Sequence, residues 1–100
     1  MSKRTVLYRK AAQQDLAEAY DWYYSIDPGL AEKLLDDLRF TADRIAMHPL
    51  SNPVYLGTSR RTQLRVFPYF VYYRLERDTV VIHAILHIRR SSTLHRKRAQ

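Results

Sequence analysis

The sequence predicts an α+β domain of two layers: a helical hairpin packed on one face of a twisted antiparallel sheet, in the order β-α-α-β-β-β. Three observations predict it. Between residues 11 and 48, apolar side chains recur at helical spacing in two runs, divided by Asp27-Pro28. From Arg65 to Arg90 (RVFPYFVYYRLERDTVVIHAILHIRR) the helical period disappears, and β-branched and aromatic residues fill two strands joined by a charged turn. The chain is 100 residues long and 46% hydrophobic, which suits one domain with one modest core.

Thr5 to Arg9 (TVLYR) is a first strand by composition. In the following helix, Ala12, Leu16, Ala19, Tyr20 and Tyr23 form one stripe, and Trp22, Tyr23 and Tyr24 are expected to close the core. Asp15 falls in its first turn, where a carboxylate suits the helix dipole, but no good N-cap residue precedes it. Asp27 then supplies a cap and Pro28 a first helical residue for the second helix. That helix buries Ala31, Leu34, Leu35, Leu38, Ala42 and Ile45, and ends at Pro49. So short a link implies an antiparallel hairpin. Phe40 and Met47 lie off the stripe, one heptad apart, and either pack under the next loop or form a ridge for a partner.

Leu50 to Arg60 contains Pro, Asn, Gly and Ser without a sustained period, and reads as a loop. Thr62 to Phe67 alternates, with Leu64 and Val66 on one side. Tyr69 to Leu75 and Thr79 to Ile88 complete a meander around Glu76-Arg77-Asp78. In the last strand Val80, Ile82, Ala84, Leu86 and Ile88 should meet the helices. Val81, His83, Ile85, His87 and Arg89 should take the more open face. Residues 91–100 form a basic tail to the single domain 1–100.

Charge is uneven. Residues 1–59 hold 7 Lys/Arg against 8 Asp/Glu, a net of −1; residues 60–100 hold 10 against 2, a net of +8. A one-sided field of that strength favours a polyanionic partner, whether nucleic acid, a nucleoprotein or an acidic protein tail. There is no cysteine, hence no disulfide framework and no thiolate metal site. No secretory signal or membrane-spanning run is present, so a cytoplasmic protein without a membrane partner is expected. No Gly-rich phosphate loop, Ser-His-Asp order or zinc spacing appears, and no cofactor or metal is expected.

Cleaving RNA through a 2′-hydroxyl needs an acid, a base and cations for the pentavalent phosphate. His83, His87 and His95 are of the right type for acid–base work, against a competing reading of His83 and His87 as structural strand histidines. Arg65, Arg89 and Arg90 are of the right type to hold phosphate. Arg60-Arg61 and Arg89-Arg90 lie at opposite ends of the meander, which argues against one catalytic patch. Tyr69, Tyr72 and Tyr73 suit either base stacking or, more commonly, cross-strand core.

The chain also resembles the small toxins of bacterial type II toxin–antitoxin modules, the ParE/RelE superfamily. The resemblance rests on a DL-containing first helix ending in DWY, on PGLAEKLLDDL, IAMHP, GTSRRTQLRVFPYFVYYR and ILHIRR, in that order. It implies the same β-α-α-β-β-β fold and a cognate antitoxin in a hetero-oligomer. Phe40, Met47, Arg65 and Arg74 are the positions expected to meet that antitoxin. Two activities divide the superfamily: inhibition of DNA gyrase in the ParE-like branch, and ribosome-dependent cleavage of mRNA in the RelE-like branch. FPYFVYY and ILHIRR are more similar to the ParE-like branch. Of the groups that the nuclease branch implies, Arg90 matches the arginine after the last strand. Tyr69 stands where a strand arginine is wanted, and no tyrosine follows Tyr73, leaving His95 as the nearest substitute. Ser91-Ser92 stands where the resemblance leads one to expect Asp-Pro. The expectation is therefore a toxin that inhibits growth by binding, using Arg60, Arg61, Arg65, Arg89 and Arg90. A nuclease using Arg65, His87, Arg90 and His95, and a non-toxic homologue that binds its antitoxin, are the alternatives.

Overall fold

The computed structural model describes residues 3–91. The elements are β1 (Thr5–Tyr8), α1 (Lys10–Ile26), α2 (Pro28–Met47), β2 (Val54–Leu56), β3 (Ser59–Gln63), β4 (Tyr69–Glu76) and β5 (Thr79–His87). Two helices pack on a five-stranded sheet in the order β1-β5-β4-β3-β2. The layers and the hairpin are those expected. The sheet is mixed rather than wholly antiparallel, because β1 pairs parallel with β5. A parallel pair needs a long crossover, and the helical hairpin with the meander supplies it.

Only Asp27 separates the helices. Its amide caps α1 on Tyr23 O at 2.9 Å, while its carboxylate accepts the Gly29 N–H at 2.8 Å to start α2. As the sequence suggests, α1 has no side-chain cap: Arg9 precedes it, and Gln13 Nε2 donates to Tyr8 O instead. The core lies between hairpin and sheet. Ala12, Ala19, Leu34, Leu38, Ala42 and Ile45 meet Val71, Tyr73, Val80, Ile82 and Ile85. Of the three consecutive aromatics in α1, only Tyr23 turns inward, edge-on to Phe67 at 4.8 Å; Trp22 is 63% exposed. A helix turns about 100° per residue, so three neighbours cannot share one face.

Four further expectations are corrected. Part of the loop after α2 is a strand: β2 pairs antiparallel with β3 as a short edge. The strand expected at Thr62–Phe67 begins and ends earlier. The N–H groups of Arg65, Val66 and Phe67 donate to the buried Asp37 carboxylate at 3.0, 2.8 and 3.1 Å, so they cannot join a ladder. Leu64 and Phe67 are therefore buried while Val66 is 71% exposed. Asp15 is not a surface charge at a helix start. It is buried and accepts the Ile85 N–H at 2.9 Å.

The face assignment along β5 changes at a bulge. Tyr73 pairs with Ile82, but Tyr72 pairs with Ala84, which leaves His83 as the extra residue. Val80 and Ile82 face the helices as expected; beyond the bulge Ile85 does so, and Ala84 and Leu86 join Tyr72 on the other face. That second face is not open, since Tyr72, Ala84 and Leu86 are all buried.

Candidate binding surface and acid–base cleft

Two of the expected acid–base and phosphate groups come together. At the end of β5 a cleft of about 420 Å³ is lined by Asp15, Glu18, Trp22, Tyr69, His87 and Arg90, among others. Helix α1 contributes positions 15, 18, 19 and 22, one face by their spacing. The sequence points Glu18 to solvent and Trp22 to the core, and gives neither a part in the site; that spacing, set beside the buried Asp15, is the signal that could have found them. His87 Nδ1 accepts the Arg89 N–H at 3.2 Å, so in the neutral ring Nε2 carries the proton.

Tyr69 sits at the start of β4, opposite His87, with ring centroids 5.3 Å apart. Burial first, then the Tyr23 phenol beside it, push the Tyr69 phenol up to about 12, against the opposing pull of Arg90. The position where a nuclease of this superfamily is expected to hold a cation thus holds a neutral phenol at physiological pH. Asp15 is tied to the β5 backbone, and Glu18 is exposed at the rim.

The other candidate arginines are dispersed. Arg65 is not in this cleft; its guanidinium lies 3.7 Å from the ring centre of Phe40, which is itself 39% exposed. Arg61 is held between two rings, 3.8 Å from the centre of Tyr55 and 3.9 Å from that of Phe70, and Nη1 donates to the Tyr72 hydroxyl at 3.3 Å. Tyr55 belongs to the segment read as loop, so this clamp was not visible beforehand. Arg60 Nη1 donates to the Asn52 carbonyl. Arg61 pairs with Tyr72, level with Ala84, whereas Arg89 and Arg90 follow the end of β5, exposed. His95 lies outside the described residues.

His83 takes the structural reading: it is buried, with Nε2 2.8 Å from Ser59 Oγ. Tyr72 and Tyr73 are buried on opposite faces, and Tyr73 donates to the Pro49 carbonyl at 2.7 Å; neither is a stacking platform. Of the positions assigned to a partner ridge, Phe40 and Arg65 form one unit and Met47 is half-buried further along α2. Arg74 lies near the far end of β4, bonded to Glu76 at 3.1 Å.

The model of the ParE toxin of type II toxin–antitoxin systems, parDE, matches residues 6–92. No curated protein sequence matches the chain. Among solved structures, the chain is similar to one from the chromosomal ParDE toxin–antitoxin system of P. aeruginosa, with a TM-score of 0.75 at 19% identity over 86% of this chain and 97% of that one. It is similar to a chain of the toxin–antitoxin complex RelBE2 of Mycobacterium tuberculosis, with a TM-score of 0.57 at 21% identity over 86% and 99%. It is also similar to the isolated E. coli RelE toxin, with a TM-score of 0.56 at 15% identity over 97% and 99%.

Proposed function

The chain belongs to the ParE toxin family of type II toxin–antitoxin systems, and from that premise we propose that it stops bacterial growth by binding a target rather than by cutting RNA. The observation that carries this reading is the state of the acid–base cleft. Tyr69, a phenol that is neutral at physiological pH, occupies the place of the wanted cation, and Arg61 and Arg65 are stacked on aromatic rings elsewhere. Among the described residues, Arg90 alone of the candidate arginines lines the cleft with His87. In-line attack at phosphorus needs several cations converging on one oxyanion, which this dispersion does not support. Arginines spread along strand edges suit a large anionic or acidic surface.

The proposed target is DNA gyrase. The proposed regulator is a cognate antitoxin that forms a hetero-oligomer with the chain; toxin–antitoxin assemblies among the structural neighbours support it. Phe40 with Arg65 is the contact we assign to the antitoxin, and Arg60, Arg61, Arg89 and Arg90 to the target.

Induced expression in a bacterial host, with and without the neighbouring gene, tests the reading. Arrest relieved by the neighbour, with loss of supercoiling by purified gyrase, is expected. Healthy growth with confirmed folded protein would overturn it and leave the non-toxic, antitoxin-binding alternative. A nuclease is the second reading, favoured by His87, Arg90 and Glu18 sharing one cleft. Ribosome-dependent mRNA cleavage that disappears in Arg90→Ala and His87→Ala, with the fold retained, would establish that reading instead.

A further inference from the structure

We propose that the pocket between the C-terminal half of α2 and β3 binds a phosphate group. Helix α2 presents Thr41 and Arg44 to it, and His48 caps that helix at the pocket's edge; Thr62 of β3 and Arg65 stand among the polar residues opposite. The lining residues include two arginines, a histidine, two threonines and a serine, and no aspartate or glutamate. The acids of α2 nearest the pocket are engaged elsewhere: Asp43 with Lys3 at 3.0 Å, Asp36 with Arg39 at 3.0 Å, and Asp37 with three backbone amides.

Arg65 is held in place before any ligand arrives. Its side chain lies on Phe40 and its N–H is fixed on Asp37. The end of α2 opposes an anion with roughly −0.5 of a charge, but two full guanidinium charges outweigh it. The pocket measures about 230 Å³. That is below the roughly 300–1,000 Å³ of sites that bury drug-sized ligands, so it suits a phosphate group rather than a whole nucleotide. Arginine forks match phosphate oxygens bidentately. The site needs neither toxicity nor an antitoxin, and the test is placed on Arg44, to which the reading above gives no part.

Inorganic phosphate titrated into the full chain, followed by backbone amide NMR signals, tests the proposal. Saturable shifts at Thr41, Arg44 and Thr62 are expected. Binding should weaken about tenfold in Arg44→Ala, the loss expected for one charge-assisted hydrogen bond. It should be unchanged in Lys33→Ala, an exposed cation of the same helix. Arg44→Gln serves the same purpose if the alanine variant does not fold. Absence of saturation, or equal weakening in Lys33→Ala, would overturn the site in favour of diffuse charge attraction. A single-stranded oligonucleotide that displaces phosphate supports the site and names a nucleic-acid backbone as the source. Failure to displace it supports the site with a free or small-molecule phosphate.

Discussion

The Asp37 carboxylate accepts N–H groups from three successive residues, Arg65, Val66 and Phe67, inside the core. It thereby shapes the loop that carries Arg65 and seats Phe67 against Tyr23. Hydrogen bonds to a charged group contribute roughly 1.5–3 kcal/mol each, and removing the acceptor leaves one buried and two part-buried amides unpaired. Asp37→Ala should cost about 3 kcal/mol or more in urea unfolding. A variant within about 0.5 kcal/mol of the parent would mean that water or neighbours replace the acceptor. Tyr69 makes a second claim at this scale. Burial pushes its pKa up to about 12, above the ordinary tyrosine value of about 10. A group raised on folding stabilises fully below its unfolded pKa and loses that contribution as pH rises through the folded one. The window is therefore pH 10 to 12. Tyr8 and Tyr73, also raised chiefly by burial, act in the same direction. Stability should fall through that window, less steeply in Tyr69→Phe, and the phenolate absorbance of Tyr69 should emerge only near its upper end. Titration of Tyr69 at the ordinary tyrosine value would remove its share of this pH dependence while leaving the cleft's phenol neutral at physiological pH.

Among the elements, the two helices were the most legible, because their boundaries are local chemistry. Asp27 ends α1 with its amide and starts α2 with its carboxylate, as Asp-Pro suggests. Asp27→Ala should cost about 1 kcal/mol, the usual worth of an N-cap side chain, measured as a shift of the urea midpoint without a change in slope. Strands β4 and β5 were legible as strands, but not which way each side chain faces. Alternation continues on both sides of His83, and nothing local marks a one-residue bulge that exchanges faces beyond it. Strand β2 was missed because three residues in a Pro- and Gly-bearing stretch carry no period, and their pairing depends on β3. Asp15 and Asp37 were misplaced for a related reason. A carboxylate's one-dimensional context does not reveal backbone amides supplied from 70 or 28 residues away. The cleft was half legible: His87 and Arg90 are near in sequence, whereas their neighbours on α1 arrive only through the packing of α1 on β5.

At the scale of the whole molecule, the layered fold turns a charge gradient along the chain into a charge difference between layers. The helices carry most of the acids, and the stretch from β3 through the turn after β5, loops included, carries seven of the eleven arginines among the described residues. Only two carboxylates belong to residues 60–100. Glu76 pairs with Arg9 and Arg74, and Asp78 pairs with Arg4, so cations of the N-terminal segment help to neutralise them. Among the described residues, Arg60, Arg61, Arg65, Arg77, Arg89 and Arg90 have no carboxylate within ion-pair distance. An antitoxin that docks on this side should therefore supply acidic residues. Exposed ion pairs contribute roughly 0.2–1 kcal/mol each, and several together should make the affinity fall at least about tenfold between low and high salt. The physical lever is the Debye length, which shrinks from about 10 Å at 0.1 M to about 3 Å at 1 M. Calorimetric titration of the antitoxin at both salts measures this, and association should slow more than dissociation quickens. An affinity indifferent to salt would move docking to the apolar groove of about 590 Å³ lined by Leu16, Tyr20, Leu35 and Leu38. There, burial of hydrocarbon rather than charge would hold the antitoxin, and Leu35→Asp, not Arg65→Ala, would be the substitution that releases it.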